Sequence, residues 1–316
     1  MRKLGRTDIE ITPIGLGVMQ FAGGHAVQRV MFPEMHQQSM DDIVKAALDG
    51  GINWFDTAEF YGFGRSEQGL ANALQAAGKA DEDVLVATKW NPLLRPARNI
   101  RRTIGKRQHF LDPYTIDLYQ VHFPMPLSSA EAQMNAMADL VEAGKIRSVG
   151  VSNFDAERMR QAHAALAKRG LPLASNQVQY HLLHRQIETD GIMDAAKDLG
   201  ITIIAWSPLG SGLLTGKFHK DPEVLKKTPV ARRAMLGRQV ESSRGLIAAL
   251  DEIADAHQVT TAQVALNWLV NYHGDTVVAI PGASKVHHAE ESAGAMGFSL
   301  TDGEMARIDE LSRQFR

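Results

Sequence analysis

Cysteine is absent from the 316-residue chain, which rules out disulfides, thiolate nucleophiles, iron–sulfur clusters and cysteine-ligated zinc. An excess of one charge sign is missing too. Against 36 Asp and Glu stand 34 Lys and Arg, for a formal net charge of −2, so nothing in the charge balance calls for a nucleic-acid or membrane partner. Long apolar runs are lacking: Ile201–Trp206 is among the longest, far short of the ~20 residues a membrane-spanning helix needs. Arg2, Lys3 and Arg6 are followed by no apolar stretch, so the start does not read as a secretory signal and a cytoplasmic location is expected. What remains, 22% charged and 44% apolar residues, is the composition of an ordinary globular chain and not of a disordered one.

Short apolar runs rich in β-branched residues recur along the chain: Ile14–Val18, Ile52–Phe55, Val84–Thr88, Ile116–Val121, Ile146–Val151, Asn176–Tyr180, Ile201–Trp206 and Thr276–Ile280. Helical patterns lie between them. Ser39–Asp49 places Met40, Ile43, Val44, Ala47 and Leu48 on one face. Ser128 is expected near an N-cap, Gly144 as the stop of the helix that follows it, and Asp155, Glu188 and Ser243 as starts of further helices. Alternating strands and helices imply a parallel sheet with crossovers, and continuously apolar strands imply burial on both faces. Eight such units predict an α/β fold: a single (β/α)₈ barrel over 1–316, with residues 2–11 as an N-terminal hairpin plug. The alternative is a doubly wound sheet with a second domain, but no Pro/Gly/Ser-rich linker divides the chain. Two long stretches, Gln20–Gln38 and Gly210–Val240, exceed plain connections. Both leave strand C-terminal ends, the face where barrel active sites lie.

Four reactive groups gather at that face. Asp56 follows the second strand, Tyr61 lies five residues on, Lys89 ends the third strand and His122 ends the fourth. Each alone has a bland reading, since Asp and Lys at strand ends are commonly solvated and a lone His is commonly structural. Together, from three adjacent strands, they point to chemistry. Asp56 is expected to hold Lys89 charged. The ammonium is expected to lower the Tyr61 pKa toward neutrality, so that the phenol can act as an acid. His122 would orient a carbonyl oxygen. The set protonates an oxygen on which negative charge develops, but it contains no nucleophile or metal, so a cofactor hydride is its natural complement.

The segments Asp56-Thr-Ala-Glu-Phe-Tyr61-Gly, Ala-Thr-Lys89, Leu-Tyr-Gln-Val-His122, Gly-Val-Ser152-Asn153-Phe and Ala-Ser-Asn-Gln177-Val-Gln-Tyr resemble the aldo-keto reductase family, in order from Gly-Leu-Gly17 to Leu300-Thr-Asp. That resemblance implies a (β/α)₈ barrel that reduces aldehydes and ketones with NADPH, with Tyr61 as general acid and Asp56, Lys89 and His122 completing the tetrad. It implies that Ser152, Asn153 and Gln177 hold the nicotinamide carboxamide, that Trp206 stacks on the ring, and that Gly17, Val18 and Met19 pass beneath it. Ser207, Pro208, Leu209, Ser211, Gly212, Leu214 and Lys217 fall in the segment similar to the pyrophosphate loop. Gly282, Ser284, Lys285, His288, Glu291 and Ser292 fall in the segment similar to the adenosine clasp. At Ser284 the family often has Lys or Arg, at His288 Gln or Arg, and at Ser292 Asn. Lys285 is then the expected cation for a 2′-phosphate, and NADPH is expected over NADH.

Substrate is expected above the nicotinamide, under Phe21, Trp90 and Phe123. Segments near Leu173, Trp268 and Glu291 are similar to the branch containing plant pyridoxal reductases, which makes pyridoxal or another aromatic aldehyde a candidate beside small aldehydes such as methylglyoxal. The alternative function is an NADPH-binding regulatory subunit of the potassium-channel β-subunit type, with little turnover. A hydrolase using Asp56 and Glu59 leaves Lys89 and Tyr61 without a purpose. Gly210–Lys217 is one residue too long for a P-loop and Phe218 replaces its Ser/Thr. His181 and His184 lack a third metal ligand in the sequence, so no metal is expected. The partner is a small carbonyl compound, with oligomeric state unread.

Overall fold

In a computed structural model, the protein is described at residues 1–25, 28, 32–125, 127–226 and 230–316, with side chains at 222 and 230–235 left aside. Of the long stretch Gln20–Gln38, residues 20–25, 28 and 32–38 are therefore described.

Two short strands, β1 (Arg2–Lys3) and β2 (Glu10–Ile11), pair antiparallel. Eight more follow: β3 (Leu16–Gly17), β4 (Trp54–Asp56), β5 (Leu85–Trp90), β6 (Leu118–Val121), β7 (Ser148–Ser152), β8 (Leu173–Gln179), β9 (Thr202–Trp206) and β10 (Val277–Ile280). All eight pair in parallel in sequential order. Parallel bridges Ile14↔Ala279 and Gly17↔Gly282 join the first to the last and close the barrel. Every strand expected from an apolar run is present, shifted by up to three residues at its ends.

The barrel interior changes character along its axis. Toward the strand starts, Trp54, Leu118, Ile204 and Val278 pack with Leu4, Ile9 and Ile11 of the hairpin, so residues 2–11 do plug this end. The plug is fixed by Gly5 N–H donating to Thr202 Oγ1 at 2.7 Å and by Trp54 Nε1 donating to Thr12 O at 2.9 Å. Toward the strand ends the inward positions turn polar: Asp56, Lys89, Gln120 and Gln177, all buried. A side-chain period of two carries this change along each strand.

The outer helices bury their apolar stripes against the sheet. Gln37–Asp49 buries Met40, Ile43, Val44 and Ala47, as the spacing predicts. Asp155 caps Ala156–Ala167 by accepting from Arg158 N–H at 2.8 Å, and Gly144 follows Ala130–Glu142 at φ +65°. One expectation is refined and two need correction. Ser129, not Ser128, is the N-cap of Ala130–Glu142, accepting from Ala132 N–H at 3.2 Å, because the Ser128 hydroxyl accepts from Ala97 N–H instead. Glu188 lies in a 3₁₀ turn, its carboxylate taken by Arg185 and Tyr180, and the next helix is Ile192–Leu199. Ser243 sits inside the helix Val230–His257, its hydroxyl bonded back to Gln239 O. That helix, with the turns Gly210–Thr215, Lys217–Lys220 and Pro222–Lys226, occupies most of the second long stretch.

Candidate active site

Strands β4, β5 and β6 deliver the four expected groups to one place. Lys89 points inward near the C-terminal end of β5 and is wholly enclosed. Its ammonium pairs with Asp56 of β4 and donates to Thr57 O at 2.8 Å. It also stands 5.2 Å from the centre of the Tyr61 ring. The His122 ring meets the Tyr61 ring edge-on, with centroids 5.7 Å apart. Phe123 stacks on His122 at 4.1 Å, and Phe60 meets both edge-on.

The electrostatics follow from burial. Burial opposes the Lys89 ammonium, but Asp56 and Tyr61 outweigh it and the pKa rises, so Lys89 is charged. Burial and the Lys89 charge drive His122 well below its ordinary value, so its imidazole is neutral near pH 7. Its Nδ1 is buried with no protein partner. The phenol departs from expectation. Burial pushes Tyr61 upward, and charge and hydrogen bonding from Lys89 pull it down without prevailing. The ammonium therefore makes the proton easier to release than burial alone would leave it, but does not bring the phenol below its usual value.

Asp56 is the hub of a buried polar layer. Its second oxygen accepts from Gln177 Nε2 at 2.9 Å and from Gln120 Nε2 at 3.2 Å. Gln177, expected to face a carboxamide, thus has a donor already committed to the Asp56 carboxylate. Gln120 was not singled out from sequence, although it carries the same signal, an amide inside an apolar strand. Beside this layer, Ser152 Oγ donates to Gln177 O at 2.8 Å. Asn153, at φ +60°, donates to Ser152 Oγ at 3.0 Å and to His122 O at 3.3 Å. Its Oδ1 accepts from Trp206 Nε1 at 3.0 Å. The half-buried Trp206 ring is therefore tied to the segment after β7.

The loops after β9 and β10 hold the remaining expected positions. Ser207, Gly210, Ser211, Gly212 and Gly216 all have positive φ, a backbone that turns N–H groups toward a common side and suits anions. Lys217 and Lys285 both act on His288, with His287 adjacent, so cations from two loops converge there. Ser284 N–H donates to His288 Nδ1 at 3.3 Å, and Ser292 Oγ donates to His288 O at 2.7 Å. Gly282 lies against the Gln20 amide, and a Cβ there would fall 2.2 Å from Gln20 Nε2. Gln20 Oε1 is buried without a partner. Gln20, between Met19 and Phe21, is a second residue that sequence reasoning passed over. Val18, Pro208, Leu214 and Ser292 are enclosed, and Glu291, Leu209 and Met19 are partly so.

The expected substrate wall divides. Phe21 and Trp90 are fully buried. Trp90 lies under Arg95 and donates to Asn99 Oδ1 at 3.2 Å, which places it between barrel and helix. Phe123, half-buried, and Phe60 flank His122 beside Tyr61. His181 and His184 face each other across a short bridge, and His181 Nδ1 accepts from Leu183 N–H at 3.2 Å, a structural use of the ring. Among the described residues no helix is long and apolar enough to cross a membrane.

Comparison with known proteins fits this geometry. The aldo/keto reductase family model matches residues 13–313. The chloroplastic pyridoxal reductase of Arabidopsis thaliana is 35% identical over 302 residues, 88% of this chain and 79% of that protein. An aldo-keto reductase of Schizosaccharomyces pombe, named for NADP(+), is 30% identical over 323 residues, covering 98% of this chain and 90% of its own. A thermostable aldo-keto reductase solved with the inhibitor epalrestat superposes with a TM-score of 0.78 at 30% identity, covering 98% of each chain. The chain belongs to the aldo/keto reductase family, as an NAD(P)H-dependent oxidoreductase.

Proposed function

We propose that the protein, one catalytic barrel over residues 1–316, reduces aldehydes and ketones to alcohols with NADPH, Tyr61 giving the proton. The observation that carries this is the meeting at one phenol of the buried Lys89–Asp56 pair and a neutral His122. Asp56 keeps the ammonium charged and fixed. Lys89 stabilises the phenolate as the Tyr61 hydroxyl gives up its proton. His122, neutral and stacked on Phe123, donates to the same carbonyl oxygen and sets its direction. A reduced nicotinamide, when bound, supplies the hydride.

The residues present suit that cofactor. Ser152, Asn153 and Gln177 offer hydroxyl and amide groups to a carboxamide, and Trp206 offers a ring face tethered by Asn153. The unpartnered Gln20 Oε1 and the left-handed turn at 210–212 add an acceptor and backbone donors. Preference for NADPH is supported by Lys217, Lys285, Ser284 and His288, which gather at the start of the helix Val286–Gly294 and match a 2′-phosphate. The aromatic wall of Phe60 and Phe123 suits a flat aldehyde, and the likeness to a pyridoxal reductase makes pyridoxal the first substrate to try.

The test is steady-state oxidation of NADPH and NADH with pyridoxal, other aromatic aldehydes and methylglyoxal. Turnover of at least about 1 s⁻¹ with one of them, and a lower Kd for NADPH than for NADH, is the expected result. Turnover under about 10⁻² s⁻¹ with every compound overturns the enzymatic reading in favour of a regulatory subunit, and tighter NADH binding reverses the cofactor assignment.

A further inference from the structure

The loop that carries Tyr61 has little regular structure to hold it. Gly62, Phe63 and Gly64 all have positive φ, and Tyr61 itself lies outside helix and strand. An acid must be held to within about 0.5 Å to be effective, so something outside the loop has to fix it. Behind the Lys89–Asp56 pair, between β5 and the helix Arg98–Leu111, lies a second group of charges that the proposed mechanism does not use. Glu59, two residues before Tyr61, is at its centre. One carboxylate oxygen accepts from Asn91 N–H at 3.1 Å and from Arg95 Nη1 at 2.9 Å. The other lies 3.1 Å from Arg107 Nη1. The Glu59 N–H donates to Lys89 O at 3.1 Å.

Arg107 is 2% exposed and its Nε lies 3.0 Å from Glu67. Glu67, wholly enclosed, accepts from Thr88 Oγ1 at 2.7 Å. Thr88 precedes Lys89 and turns to the outer side of β5 while Lys89 turns inward. One guanidinium thus links the strand that presents the ammonium to the loop that presents the phenol. Arg95, which also holds Glu59, lies over Trp90 at 5.6 Å. Buried charges of this kind contribute little net stability, so their use is better sought in geometry.

We propose that Glu59 is a positioning residue: held between Arg107 and Arg95, it fixes the Asp56–Tyr61 loop so that the phenol stays in register with Lys89 and His122. A carboxylate is needed because two guanidinium charges must be met by one short side chain, Arg95 through a hydrogen bond and Arg107 through an ion pair. Glutamine keeps the shape and can satisfy only part of that demand. The proposal rests on Tyr61 being the acid.

The experiment is a double-mutant cycle on single-turnover NADPH oxidation with the best aldehyde, comparing wild type, Glu59→Gln, Tyr61→Phe and the double variant. Glu59→Gln is expected to slow the reaction by about 10- to 100-fold and to leave the NADPH Kd within about twofold. In the Tyr61→Phe background the same change is expected to alter the residual rate by less than about threefold, since the group it positions is gone. Two results overturn the proposal: a wild-type rate in Glu59→Gln, or an equal slowing in both backgrounds. An unaltered rate in Tyr61→Phe alone instead overturns the reading of Tyr61, so the two failures are separable. Should Glu59→Gln not fold, Arg95→Met removes one partner from the more exposed side and is read in the same cycle with the same outcomes.

Discussion

At the residue scale the site is governed by a buried ion pair whose two charges depend on each other. Asp56 is 2% exposed and Lys89 not at all. Removing either partner strands the other in the interior, at a cost of about 3–5 kcal/mol. Lys89→Met should therefore lower unfolding free energy by about that amount, while Lys89→Met with Asp56→Asn recovers part of it, both read from urea transitions. A neutral effect of the single substitution would contradict the buried ion pair. The histidines give a pH signature. Burial holds His181 down to about 3, below its unfolded value of ~6.5, so the unfolded chain binds the extra proton. The contribution is present in full above ~6.5 and is lost as pH falls toward 3. Glu67 and Asp117, raised by burial to about 7 and about 6, act with the opposite sign, so the test is a difference. His181→Gln should lose less stability than wild type between pH 7 and pH 5, by up to about 1.4 kcal/mol per unit, and an equal loss in both would contradict the buried neutral ring. Asp56, Tyr61, Lys89 and His122 were legible because reactive groups at adjacent strand ends are rarely assembled by chance. The direction of the Tyr61 shift was not, since a sequence names the neighbouring ammonium and is silent on how deeply the phenol is enclosed.

At the scale of elements, strands were easier to read than helix ends. A strand buried on both faces favours a mostly apolar run, and the runs at β3, β9 and β10 show it most clearly, whereas β8 (Leu173–Gln179) carries Ser175, Asn176, Gln177 and Gln179. Helix starts depend on which of two neighbouring hydroxyls reaches the first-turn N–H groups, as Ser128 and Ser129 show. The long helix Val230–His257 could have been found earlier in the chain, because Leu236, Val240 and Ser243, at helical spacing, are all buried. Its glycines at 237 and 245 weakened the pattern. The turn into the helix Arg65–Ala76 has a sharper requirement. Gly64 lies at φ +111°, and a Cβ there would come within 2.4 Å of the Phe110 ring. Gly64→Ala should cost about 1–3 kcal/mol and reduce aldehyde turnover through the adjoining Tyr61 loop, with thermal unfolding and kinetics measured together. Unchanged values in both would show that the turn relaxes freely.

At the scale of the molecule, the barrel is an apolar cylinder closed at one end by a hairpin and lined with amides and charges at the other. The plug and the polar layer explain one another. Sealing the strand-start end with Leu4, Ile9 and Ile11 turns the Asp56–Lys89 pair toward the other end, where the loops bear Tyr61, His122 and Trp206. The fold could be read from strand count and spacing, whereas the Glu59–Arg107–Glu67 group could not, because it joins residues far apart in sequence on the outer side of the sheet. The most direct measurement on the central claim is single-turnover reduction of an aldehyde by NADPH in Tyr61→Phe, with NADPH affinity measured in parallel. A loss of at least about 100-fold in rate with cofactor affinity nearly unchanged is the predicted result. A rate close to wild type would contradict the assignment of the phenol as proton donor.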